Sequence, residues 1–196
     1  MSRYIILVLL FACSCKNNPD EQAQAPVAKD TIGGVENRKD SLLVQKNDYS
    51  VVANGVRISL KDREMYVDLN SILGSPKSVL TKVFAEGADT HMGAAVKTMD
   101  YNGLQLELYV PNGRDSGWIM NMKLTSDKYF TERGARVGDS AQRVKSLYPE
   151  GSKFPDGRND PLNYSWYISD ESHLFTLKFD IEQELVKQIL IYYEVP

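Results

Sequence analysis

Four stretches of this chain place an apolar side chain at every second position, and that period constrains the fold more than any other feature. They are Leu104, Leu106, Leu108 and Val110; Trp118, Met120, Met122 and Leu124; Phe175, Leu177, Phe179 and Ile181; and Ile189, Ile191 and Tyr193. Successive strand residues point to opposite faces, so each stretch predicts a strand with one face in a core and the other free. A sheet covered on one side only is characteristically antiparallel. Turn residues agree: Asn102-Gly103 marks a hairpin, residues 111–117 form a polar loop, and Glu182-Gln183-Glu184 separates the last two stretches. Tyr164, Trp166 and Ile168 alternate in the same way, as do Val56, Ile58 and Leu60 near the start of the patterned region.

Two helices interrupt the strands. Residues 68–76 open on Asp68 and stop at Gly74 and Pro76, and residues 139–148 place Ala141, Val144, Leu147 and Tyr148 on one stripe. Residues 77–84 fit a helix and an extended segment equally. The expected fold is α+β: two tandem helix-plus-three-strand units, about 49–130 and 131–196, forming antiparallel sheet with the helices packed on one face. The loops PNGRDSGW and PDGRNDPLNYSW, each leading to a tryptophan, favour a duplication.

The first residues supply an address. Arg3 precedes an apolar run over residues 4–12, long enough for a signal-peptide core and short of the roughly 20 residues that span a bilayer. Leu10-Phe11-Ala12-Cys13 resembles the bacterial lipobox, which implies cleavage after residue 12 and acylation of Cys13, with Cys15 as the alternative. Two or more acyl chains, at about 0.8 kcal/mol per buried methylene, make a stable anchor. Residues 1–12 are thus expected to be a lipoprotein signal peptide and residues 13–48 a lipid-anchored flexible linker, since 16–48 hold no aromatic residue and are interrupted by Pro19, Pro26 and Gly33-Gly34. Thr31 and Ser41 sit in Asp-Thr/Ser-apolar triplets resembling periplasmic O-glycosylation sites. The expected location is the envelope of a Gram-negative bacterium, more specifically the outer membrane, facing the periplasm or the surface.

Thr131-Glu132-Arg133-Gly134-Ala135-Arg136-Val137-Gly138-Asp139-Ser140, followed by Val144 and Leu147-Tyr148, resembles the helix start of tandem alpha/beta repeats in secreted bacterial proteins. That architecture is shared by the BamE-like lipoproteins and the beta-lactamase-inhibitor-protein family. Ala135 stands where those repeats carry isoleucine, and Pro149 where they carry glycine. The resemblance implies a fold, and by analogy with the inhibitor family a sheet surface that grips a protein.

Catalytic chemistry finds little support. The only cysteines, Cys13 and Cys15, lie at the expected lipid-anchored start of the linker and not in the domain, the histidines are His91 and His173, and no Gly-x-Ser-x-Gly elbow, P-loop or His-Glu-x-x-His occurs. His173 is expected within an inward strand position. No cofactor and no metal are expected, and residues 155–160 read as a polar loop. With a net charge of −3 and basic residues interspersed with acids, nucleic acid is excluded as a partner class. Binding is favoured by the 11 tyrosines and 2 tryptophans, because such rings bury large area at low rotamer cost. The candidate anchors are Tyr109, Trp118, Tyr164, Trp166 and Tyr167. The expected function is a noncatalytic protein-binding or scaffold module whose partner is another envelope protein. The alternatives are an inhibitor or immunity protein against a periplasmic hydrolase, and a glycan-binding accessory lipoprotein.

Overall fold

A computed structural model of the chain describes residues 48–62, 67–84, 93–154 and 160–194. Its elements run β1 (Ser50–Ala53), β2 (Val56–Ser59), α1 (Leu69–Leu73), β3 (Ser78–Val83), β4 (Ala95–Asp100), β5 (Leu104–Val110), β6 (Trp118–Leu124), β7 (Phe130–Thr131), α2 (Ala141–Leu147), β8 (Ser152–Lys153), β9 (Asn163–Ser169), β10 (Phe175–Glu182) and β11 (Leu185–Tyr193). Among the described residues the fold is rich in strand, with two short helices.

Two antiparallel sheets form. The larger has eight strands in the order β3-β4-β5-β6-β11-β10-β9-β8, and the smaller has three in the order β2-β1-β7. Each half of the large sheet is a meander of four sequential strands, and the halves join through their last strands, β6 and β11. The ambiguous segment 77–84 is strand: β3 pairs with β4 from Ser78 opposite Asp100 to Val83 opposite Ala95. Each helix is therefore followed by four strands of the large sheet, where the sequence pattern predicted three.

The core lies between the two sheets. Leu104, Leu106 and Leu108 of β5, Met122 and Leu124 of β6, Leu177, Phe179 and Ile181 of β10, and Ile189 and Ile191 of β11 are buried together with Val51, Ala53 and Ile58 of the small sheet. Each fully buried branched or aromatic side chain contributes about 1.5–3 kcal/mol. Tyr49 meets Phe175 with ring centroids 5.3 Å apart. Lys61 N–H donates to the Ile119 carbonyl at 2.7 Å and Ile119 N–H to that of Asp62 at 2.9 Å, tying the chain after β2 to the start of β6.

One alternation breaks. The pattern predicted Trp118 and Met120 on the inward side with Met122 and Leu124, but Glu107 pairs with Asn121 while Leu108 pairs with Ile119, leaving Met120 as the extra residue of a bulge. Beyond the bulge the faces exchange, so Ile119 enters the core and Trp118 turns to the opposite face. A second correction concerns His173, which lies exposed in the turn before β10 with φ 58°, not within the strand.

The segment before α2 shows the physical purpose of its signature. Thr131 Oγ1 accepts from Ala135 N–H at 3.0 Å and from the Tyr148 hydroxyl at 2.8 Å, while Ala135 and Tyr148 are fully buried. Gly138 turns the chain at φ 89°, a region costly to any residue with a Cβ. Asp139 accepts from Arg136 N–H at 2.9 Å and closes the turn. Ser140 is the helix cap, accepting from Arg143 N–H at 3.2 Å. Tyr148 then packs on Phe179 of β10, ring centroids 5.3 Å apart.

Candidate functional site

The face of the large sheet turned away from the core carries the side chains with binding chemistry. Strand register brings them into rows. One row runs Glu107, Asn121, Tyr192, Thr176 and Ser169, each opposite the next across neighbouring strands. Beside it run Gln105, Lys123, Leu190, Lys178 and Tyr167. Where β6 meets β11 these rows leave a cavity of about 260 Å³ lined by Gln105, Glu107, Asn121, Lys123, Leu190 and Tyr192.

Hydrogen bonds fix much of this surface. Asn121 Nδ2 donates to Glu107 Oε2 at 2.6 Å. Asp180 accepts from Ser165 Oγ at 2.6 Å and from the Gln188 amide, and Lys178 Nζ lies 3.4 Å away. Burial pushes the Asp180 carboxyl upward, but the Ser165 and Gln188 bonds and the Lys178 ammonium outweigh it and hold the group below the usual carboxylate range. Burial raises the Tyr192 phenol; a bond from Thr176 works against this, and the Glu194 and Asp180 carboxylates add to it.

Aromatic pairs flank the cavity. Tyr109 and Trp118, opposite each other on β5 and β6, hold their ring centroids 4.8 Å apart at 41°. Toward the other edge Tyr167 meets Phe154 edge-on at 5.2 Å, and Lys178 Nζ sits 5.0 Å from the Phe154 ring. Such pairs contribute about 0.5–1.5 kcal/mol beyond burial and hold the rings in fixed orientation.

The five anchors predicted from sequence are thus divided. Tyr109, Trp118 and Tyr167 share the open face with the cavity, each half-buried. Tyr164 and Trp166 do not join them. Tyr164 is 4% exposed on the core side, and Trp166 donates its indole N–H to the Tyr148 carbonyl at 3.2 Å. Their strand alternates without a break from Tyr164 to Ile168, so both follow Ile168 inward. Glu107, Asn121, Lys123 and Asp180 were missed by sequence reasoning; their signal was the polar half of each alternating stretch. Cys13, Cys15, Thr31 and Ser41 lie outside the described residues. No group of three metal-binding side chains gathers among the described residues, and none of their helices is long and apolar enough to cross a membrane. Asp160 accepts from Leu162 N–H at 2.8 Å and from the Asn163 amide, an arrangement of a turn.

No protein-family model matches the chain, and no curated protein sequence or solved structure matches it.

Proposed function

We propose that this chain is a lipid-anchored envelope protein that binds another protein without catalysis, using the open face of its eight-stranded sheet. The carrying observation is the composition of that face: rigid aromatic pairs at two points, and between them a cavity offering one ammonium, one carboxylate, two amides and a phenol. Aromatic anchors around polar groups already held by neighbours bind a partner at small entropic cost. The noncatalytic assignment rests on the sequence, which carries no recognisable nucleophile or metal motif. The tandem-unit architecture belongs to the same proposal: the strand order β3-β4-β5-β6-β11-β10-β9-β8 is what two helix-led meanders joined at their last strands would give. The envelope address, with Cys13 acylated, supplies the setting in which a neighbouring membrane protein is the partner.

The test is comparative capture. Full-length chain retained in detergent-solubilised envelopes is expected to hold a partner that Trp118→Ala and Asn121→Arg release and that the core-side Trp166→Phe keeps. Capture unchanged by both open-face variants would move the contact elsewhere. Acyl labelling checks the address: Cys13→Ala should abolish it, and persistent label would shift the modified residue to Cys15.

A second reading has one observation in its favour. The Tyr109–Trp118 pair shares the open face of β5 and β6 with Glu107 and Asn121, and an aromatic platform on a face carrying carboxylate and amide groups matches a sugar ring's apolar face and hydroxyls. Quenching of tryptophan emission by cell-wall saccharides, lost in Trp118→Phe, would favour a glycan partner over a protein.

A further inference from the structure

Strand β3 ends the large sheet, and every one of its residues is exposed. Val79, Leu80 and Val83, at 50%, 68% and 61% exposure, are three of the six exposed large apolar side chains among the described residues. Natural edge strands are usually short, bulged, charged or interrupted by proline, because an open edge pairs with other chains. The opposite edge obeys that rule: β8 has two residues, Ser152 and Lys153. Strand β3 does not. It is six residues long, pairs with β4 without irregularity, and carries Lys82 as its single charge.

The free edge has a definite hydrogen-bonding phase. Phe84 N–H donates to the Ala94 carbonyl at 2.8 Å, and the register sets Val83 opposite Ala95. In an antiparallel ladder the bonded residues alternate, so Ser78, Leu80 and Lys82 bond toward β4 while Val79, Thr81 and Val83 present N–H and C=O outward.

We propose that β3 pairs with β3 of a second copy of this chain, antiparallel, about a two-fold axis through Thr81. That register sets Val79 opposite Val83 of the second copy and Val83 opposite its Val79, with Thr81 facing Thr81. All three outward residues then exchange backbone bonds. On the other face Leu80 meets Lys82 of the second copy, so no like charges oppose. An axis through Lys82 would place two ammoniums together, and one through Leu80 would set Val83 against Lys77. The contact is isologous, and the short β8 offers no second site for growth, so it closes as a dimer. One strand pair is smaller than the roughly 1,000 Å² of a stable interface, so association is weak and reversible in solution. In the dimer the two open faces lie on the same side of one fused sheet, and a divalent partner gains from that.

Sedimentation of the full-length chain in a density-matched detergent, from micromolar to millimolar concentration, tests the proposal. The expected result is a monomer–dimer equilibrium. Thr81→Pro removes an N–H that bonds nothing within the monomer, so it should leave the melting temperature within a few degrees and abolish the dimer. Leu80→Glu makes two opposite-charge pairs with Lys82 across the axis, so it should keep or tighten the dimer. General apolar stickiness predicts the reverse for Leu80→Glu. A wild-type chain monomeric throughout, a dimer surviving Thr81→Pro, or one dispersed by Leu80→Glu would each overturn the proposal. So would a monomer whose β3 edge binds only an extended peptide from another protein.

Discussion

Arg133 holds Asp48 by two parallel bonds, Nε to Oδ1 at 2.8 Å and Nη2 to Oδ2 at 2.7 Å, and Asp48 is 3% exposed. The same guanidinium donates from Nη1 to the Leu147 carbonyl at 2.9 Å and lies 4.6 Å from the Tyr148 ring centre. One side chain thus joins Asp48, two residues before β1, to the end of α2. Glu150 Oε1 stands 2.8 Å from Nη1, yet neither of its oxygens accepts a hydrogen bond.

From this cluster two substitutions should diverge. Arg133→Met leaves two carboxylates with no cation beside them and should cost about 3–5 kcal/mol, read by urea unfolding. Glu150→Gln removes a charge that receives no bond and leaves Asp48 and Arg133 balanced. It should change stability by less than about 1 kcal/mol in either direction.

Asp139 and Ser140 are both residue types that cap helices, and the structure assigns them different work. Ser140→Ala should cost about 1 kcal/mol, or roughly 2–4 °C in melting temperature, by freeing an N–H of the first turn of α2. Asp139→Ala loses both the turn bond to Arg136 and the Arg143 contact at 3.1 Å, both of them exposed, and should cost a similar amount. If only the Asp139 variant is destabilised, Ser140 is not the cap.

Asp180 makes stability depend on acid. Its folded value is depressed, so the stabilisation it supplies is complete above its unfolded value, about pH 4, and is lost as pH falls toward the folded value. Asp180→Asn should lower stability at pH 7 by about 1–2 kcal/mol. The difference from wild type should shrink as the pH falls below the unfolded value of about 4, followed by unfolding at fixed denaturant. A gap that stays constant over that range would mean Asp180 titrates normally.

How far the fold was legible depends on what each residue's period could record. Leu104, Leu106 and Leu108 alternate without fault and were read in their true orientation. Trp118 and Met120 were not, because a bulge inserts one residue without changing the letters: the period of two continues in sequence while the register slips in space. Strand β3 was ambiguous because it faces solvent on both sides, so no core selected a period for it. The two-residue β7, which joins β1 through Val51 opposite Thr131, is too short to leave any pattern. The candidate site was half visible. Tyr109 and Trp118 were found as aromatics, but Asn121 and Glu107 meet only through strand pairing, which single-stretch patterns do not reveal.

The placement of Trp118 gives a last prediction. Gly117 precedes it, and a Cβ there would stand 2.2 Å from the Tyr109 carbonyl oxygen and 2.8 Å from its carbon. The obstacle is backbone of the neighbouring strand, so no rotamer change relieves it, and β5 and β6 would have to separate where Tyr109 and Trp118 stack. Gly117→Ala should therefore destabilise by about 1–3 kcal/mol. It should also shift the emission of Trp118, recorded in a Trp166→Phe background so that one tryptophan reports. Tyr109→Ala removes the same ring contact without moving the strand, so it should shift emission with a smaller stability loss. Equal losses in the two variants would show that the ring pair, and not the close approach of the backbones, sets the geometry at this end of the open face.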